Sequence, residues 1–132
     1  MRAILLLLVA VRLGGPSAAL PADGSLREAF RPMLRESRGG ASRIEVAGFV
    51  VRLPSGTYAI VRWPEAEVTD EARWEGAWPP GTVAIVHTHP NWMPEPSRVD
   101  RATAASHGVP VYVVTNGGIT RTDGGEPETV SW

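Results

Sequence analysis

Leu26, Phe30, Met33 and Leu34 recur at intervals of three and four residues, the period of a helix that buries one face. Ser25 stands where a helix-start cap belongs and Gly39-Gly40 breaks the pattern, so the spacing predicts a helix over about residues 25–37. Pro32 falls inside it and is expected to kink the helix or delay its start. From Arg43 to Leu53 the chain is rich in Val, Ile and Phe. Pro54-Ser55-Gly56 then supplies a turn, and Thr57 to Trp63 is strand-like again, which predicts a hairpin. Pro64 to Gly81 shows no sustained period and reads as a long loop with room for one short strand.

The run Thr82-Val83-Ala84-Ile85-Val86 is apolar without alternation, as expected of a strand buried on both faces, and it leads straight into His87. A loop from Pro90 to Pro96 follows. The Ala-rich stretch Ser97 to Ser106, stopped by Gly108, predicts a second helix; Val109 to Thr115 predicts a strand, and Asn116-Gly117-Gly118 a turn into a hairpin tail. The order helix, hairpin, strand, helix, strand, hairpin describes an α/β (α+β) domain without an internal repeat or a second domain boundary.

Composition narrows the chemistry. The chain has 132 residues, 43% apolar and 20% charged, which is the balance of one globular domain. All 13 basic residues are Arg, 14 residues are acidic, and the net charge of −1 shows no basic excess for nucleic acid or a membrane surface. There is no Cys, so a metal would have to be held by His and carboxylates.

The N-terminal segment has signal-peptide order. Arg2 precedes the apolar run Ile4 to Val11, and the chain then turns to small residues, with Ser17 and Ala19 at the −3 and −1 positions before Leu20. A short membrane anchor or a misplaced start codon are the alternatives, although the run is too short to span a bilayer comfortably. The pattern predicts a signal peptide over residues 1–19, a mature domain over 20–132, export to the periplasm or medium, and no stable membrane association after cleavage. Cleavage would leave 11 Arg against 14 acids, a net charge of −3.

The residues that carry chemistry follow the apolar strand. On a strand, residues i and i+2 project to one side, so His87 and His89 can present two imidazoles to one point. Pro90 ends the ladder and biases His89 toward extended geometry. Asp100 lies three residues into the following helix, where its carboxylate can point back toward the strand end. Two His and one carboxylate are the ligand set of a catalytic zinc, which keeps a fourth position for water. Ser97 and Asp100 also form S-x-x-D at a helix start, a capping-box arrangement that needs no metal; cap and ligand are compatible roles. His107 is expected at the helix end beside the last carbonyls, outside any ligand set. Trp92 and Met93, in the loop between the ligands, are candidates for substrate contact.

His87-Thr88-His89-Pro90, six residues, then Ser97-x-x-Asp100 resembles the H-x-H-P and S-x-x-D signature of the JAMM/MPN (JAB domain) zinc metalloproteases. Glu45-Val46-Ala47-Gly48 is similar to the segment carrying that family's glutamate on an earlier strand. The resemblance implies an MPN/JAB-like, cytidine-deaminase-like core with a central mixed β-sheet flanked by helices. It implies one Zn²⁺ held by His87, His89 and Asp100, with Glu45 as general base then acid and Ser97 as support for the water or the oxyanion. The implied activity is hydrolysis of a peptide or isopeptide bond in a peptide or protein substrate. Taken alone, Glu45 could instead be a strand-end carboxylate facing solvent or pairing with Arg43.

The chain is close to a minimal core without a long insertion for gripping ubiquitin, so ubiquitin is not carried over. Better-known prokaryotic relatives act on small sulfur-carrier proteins in the cytoplasm, and an exported form would need another substrate, such as a cell-wall peptide. Two competing readings are a non-catalytic MPN-like interaction module and a small cupin-like β-barrel. The cupin reading rests on Gly81, five residues, His87-Thr88-His89 and then Glu95, a spacing one residue too long.

Overall fold

The structure, a computed structural model, describes residues 24–38, 45–64, 74–89 and 93–130. The predicted signal peptide, the loop over 65–73, Arg43, Pro90 and Trp92 lie outside the described residues.

The first helix, α1 (Gly24–Glu36), puts Leu26, Phe30 and Met33 on one face at helical spacing, and all three are buried. It begins at Gly24 and runs continuously through Pro32, so the start is not delayed as the sequence led us to expect. Pro32 is exposed, while the buried Phe30 and Met33 anchor the turn on either side of it. Beyond the helix, Ser37 donates its N–H to the Met33 carbonyl and its hydroxyl to the Leu34 carbonyl, and Arg38 leaves the helix at φ 52°.

The predicted hairpin is β1 (Ala47–Arg52) and β2 (Tyr58–Arg62), antiparallel, with the turn at Pro54-Ser55-Gly56 closed by the Leu53 N–H on the Thr57 carbonyl at 2.8 Å. Strand β3 (Thr82–Thr88) continues two residues past the apolar run and carries His87 within it. Gly81 feeds it at φ +82°, where an added Cβ would lie 2.9 Å from the Arg52 carbonyl; Gly81 in turn accepts the Arg52 N–H. Residues 74–81 form no strand.

Helix α2 (Arg98–His107) crosses to β4 (Val111–Thr115), which is parallel to β3; β5 (Gly118–Thr122) and β6 (Glu128–Val130) complete the antiparallel tail. Among the described residues the strands form one six-stranded mixed sheet in the order β2-β1-β3-β4-β5-β6. An open sheet with a helical crossover has no place for the cupin barrel weighed as an alternative.

The sheet is covered on both faces, which is why β1, β3 and β4 are apolar on both sides. Leu26, Phe30 and Met33 of α1 pack on Val50, Ala84, Val86, Tyr112, Val114 and Ile119. On the other face Ala104 of α2 packs with Phe49, Val51, Ile85 and Val111, and Trp63, Trp74 and Trp78 extend that cluster. Phe49 is fully buried, with the three indole centroids 5.0–5.3 Å from its ring. An ion pair from Arg62 to Glu36 ties β2 to the end of α1. Among the described residues no helix is long and apolar enough to cross a membrane.

Candidate metal centre

Alternation along β3 decides which way each side chain points. Ile85 faces the α2 side, so His87 two residues on faces it too, and His89, one residue past the strand, follows the same sense. In the register of β1 and β3, Ala47 pairs with His87 and Phe49 with Ile85; stepping back from Ala47 by two brings Glu45 to the same face. Glu45 thus meets the histidines because of a strand pairing across 42 residues.

The contacts are specific. The Glu45 carboxylate accepts a close hydrogen bond from Nδ1 of His87. Nδ1 of His89 donates to the Met93 carbonyl at 3.0 Å. Each Nδ1 faces a group that only accepts, so each must carry the proton, and in the neutral tautomer each Nε2 bears a lone pair. Both Nε2 atoms then face the Asp100 carboxylate: His87 Nε2 is 2.9 Å from Oδ1, and His89 Nε2 is 3.3 Å from Oδ2. The imidazole rings stand nearly perpendicular, centroids 4.6 Å apart.

Asp100 is held by the start of α2. Its Oδ2 accepts the Ser97 N–H at 2.6 Å while its own N–H donates to Ser97 Oγ at 3.1 Å, a complete capping box on the N-cap Ser97. The cap read from the sequence is real, and it aims the carboxylate back over the helix start at the strand end. The cap uses the Ser97 hydroxyl as an acceptor; among the described residues its O–H proton has no acceptor.

Charge and burial shift the titration of His87 and Asp100 in opposite directions. His87 is buried, and burial by itself would lower its pKa; the Asp100 and Glu45 carboxylates outweigh that and push it up to about 9. Burial would raise Asp100, but His87 and His89 hold it well below the usual carboxylate range. Nε2 of His87 is buried 2.9 Å from Oδ1 of Asp100.

Once Nε2 is deprotonated, two imidazoles and a carboxylate turned toward one another are a donor set for a divalent cation. Ligands bonded at about 2.0–2.2 Å to a tetrahedral ion lie roughly 3.3–3.6 Å apart, close to the separations found here. Among the described residues, the set whose ligand atoms all lie within 4.8 Å of one another is Glu45, His87 and His89, so Glu45 competes with Asp100 as the carboxylate donor. The residues therefore fit a zinc ion, and the all-nitrogen-and-oxygen set suits a chain without cysteine.

Other sequence candidates fall outside the cluster. Glu95 is exposed. His107 ends α2 and stacks on Trp78, ring centroids 4.2 Å apart. Met93 is exposed beside His89, and its contribution to the cluster is a backbone carbonyl. That role had no sequence signal, because every residue type carries the same carbonyl. The Trp63, Trp74 and Trp78 cluster on the site's face was also missed, since its members gather around Phe49 from separate segments.

A mixed α/β sheet with a histidine and carboxylate cluster at the C-terminal end of its central parallel strand is the class these observations define. Residues 27–132 match the family model described as prokaryotic homologs of the JAB domain, and the chain belongs to that family. No curated protein matches it.

Proposed function

We propose that this protein is a zinc-dependent peptidase that hydrolyses a peptide or isopeptide bond of an exported peptide or protein substrate. The observation that carries the reading is the convergence of the Nε2 atoms of His87 and His89 on Asp100, with His87 Nε2 buried. Family membership supports the same chemistry.

His87 and His89 through Nε2, and Asp100 through a carboxylate oxygen, would hold the ion. When bound, zinc supplies a Lewis acid and lowers the pKa of a coordinated water to about 7. On leaving Nδ1 of His87, Glu45 would accept the proton of the attacking water and return it to the leaving nitrogen as the C–N bond breaks. Ser97 donates its hydroxyl proton to the oxyanion that develops on the scissile carbonyl, while the capping box keeps Ser97 and Asp100 in fixed relation. Met93 fixes the His89 tautomer, and Glu45 fixes that of His87 before substrate arrives.

The signal-peptide pattern of residues 1–19 supports export, and the balanced charge supports a peptide substrate over nucleic acid. Zinc content by elemental analysis tests the metal: about one ion per wild-type chain and none in His89→Ala are expected, and equally little metal in both removes the proposal. Glu45→Gln should retain zinc and lose hydrolysis of lysine-linked isopeptides or cross-linked peptidoglycan peptides. A wild type that binds zinc but cleaves neither class points to the non-catalytic binding module.

A further inference from the structure

Thr88 lies between the two histidines, yet alternation turns its side chain to the opposite face of the sheet, where it is 1% exposed. A hydroxyl that deeply buried needs a partner, and it has one: the Val46 N–H donates to Thr88 Oγ1 at 3.1 Å. In the other direction the Thr88 N–H donates to the Val46 carbonyl at 2.9 Å.

These two bonds extend the ladder. Ala47 pairs with His87, so Val46 stands opposite Thr88 one step further along. A regular antiparallel rung would exchange two backbone bonds between such residues. Here the side-chain hydroxyl replaces the Thr88 carbonyl as the second acceptor, at the point where β3 ends. The pairing therefore reaches one residue beyond the start of β1, toward Glu45.

The Val46 N–H belongs to the same planar peptide as the Glu45 carbonyl. Holding that N–H fixes ψ of Glu45, and with it the direction in which the Glu45 side chain leaves the backbone toward Nδ1 of His87. We infer that Thr88 is a positioning residue: its buried hydroxyl holds the Glu45–Val46 peptide and so aims the Glu45 carboxylate at the histidine cluster. The inference rests on the role proposed above for Glu45. The two histidines and the residue between them thus serve both faces of the sheet, ligands on one and an alignment bond on the other.

The imidazole N–H signal of His87 in ¹H–¹⁵N NMR reports the Glu45 contact directly, because a charge-assisted bond to a carboxylate moves it downfield. The metal-free full chain is compared as wild type, Thr88→Val, Thr88→Ser and Glu45→Gln, with zinc binding counted separately. Thr88→Val should bind zinc as wild type does, shift the His87 signal upfield in the direction of Glu45→Gln, and lower turnover of a lysine-isopeptide probe roughly tenfold at constant KM. Thr88→Ser, which returns the hydroxyl, should restore the signal. A Thr88→Val chain with the wild-type His87 signal overturns the inference. A Glu45→Gln chain with that signal unchanged instead overturns the Glu45 assignment on which the inference stands. Should Thr88→Val not fold, amide exchange in the wild type decides: Val46 N–H is expected to be protected, and exchange at the rate of an open loop overturns the alignment bond.

Discussion

Oδ1 of Asp100 stands 2.9 Å from Nε2 of His87, while the other oxygen of the same carboxylate accepts the backbone N–H that opens the following helix. One side chain thus joins the end of β3 to the start of α2, and its two duties can be separated by mutation.

Asp100→Ala should lose zinc as His89→Ala does, but only the former also breaks the capping box. In chelator, thermal unfolding should show Asp100→Ala less stable than wild type by about 1–2 kcal/mol and His89→Ala less stable by under about 1 kcal/mol. Equal losses would mean that the cap contributes nothing.

On the proposed function, protons and zinc compete for the same cluster. The pKa of His87 is raised, to about 9 in the folded metal-free chain from an ordinary value of 6.5. Between these values the folded state holds a proton that the unfolded state has released, so His87 stabilises the metal-free fold below pH 6.5 and that stability is lost as pH rises toward 9. The slope is about 1.4 kcal/mol per pH unit for one proton. Urea unfolding in chelator at pH 6.5, 8 and 9.5 should show this decline; a flat profile would count against the buried ionised cluster. Over the same interval apparent zinc affinity should rise roughly tenfold per pH unit, because binding releases that proton.

Phe49 is the centre of the face that also carries the histidine and carboxylate cluster. Phe49→Ala removes a fully buried ring contacted by three indoles and should cost about 3–5 kcal/mol. Tryptophan emission should shift to the red in the folded variant as Trp63, Trp74 and Trp78 lose their packing. An unchanged spectrum would place the indoles elsewhere.

Gly81→Ala combines a positive φ with a 2.9 Å approach of the new Cβ to the Arg52 carbonyl. A backbone oxygen cannot swing aside as a side chain can, so a loss of about 1–3 kcal/mol is expected in chemical denaturation. Gly56→Ala, at a turn where nothing lies within 4 Å of the added carbon, should lose less.

Much of this molecule was legible in the order of its residues. The helical spacing of Leu26, Phe30 and Met33, the unbroken run before His87 and the cap at Ser97 are local patterns. Local geometry is what sequence spacing encodes. Pro32 did not delay the helix start, because the buried Leu26, Phe30 and Met33 anchor the turns on both sides of it.

The pairing of Glu45 with His87 is of another kind. A resemblance in Glu45-Val46-Ala47-Gly48 singled out the residue, but its approach to a histidine 42 positions away depends on the β1–β3 register, and a shift of one residue would turn it to the other face. The Met93 carbonyl on His89 and the Thr88 hydroxyl on Val46 depend on tertiary structure in the same way. The sequence by itself determined which residues are candidates for a metal and the order of helices and strands. Only the folded sheet decided which nitrogen of each histidine turns toward Asp100, because that follows from the acceptor that meets the other nitrogen.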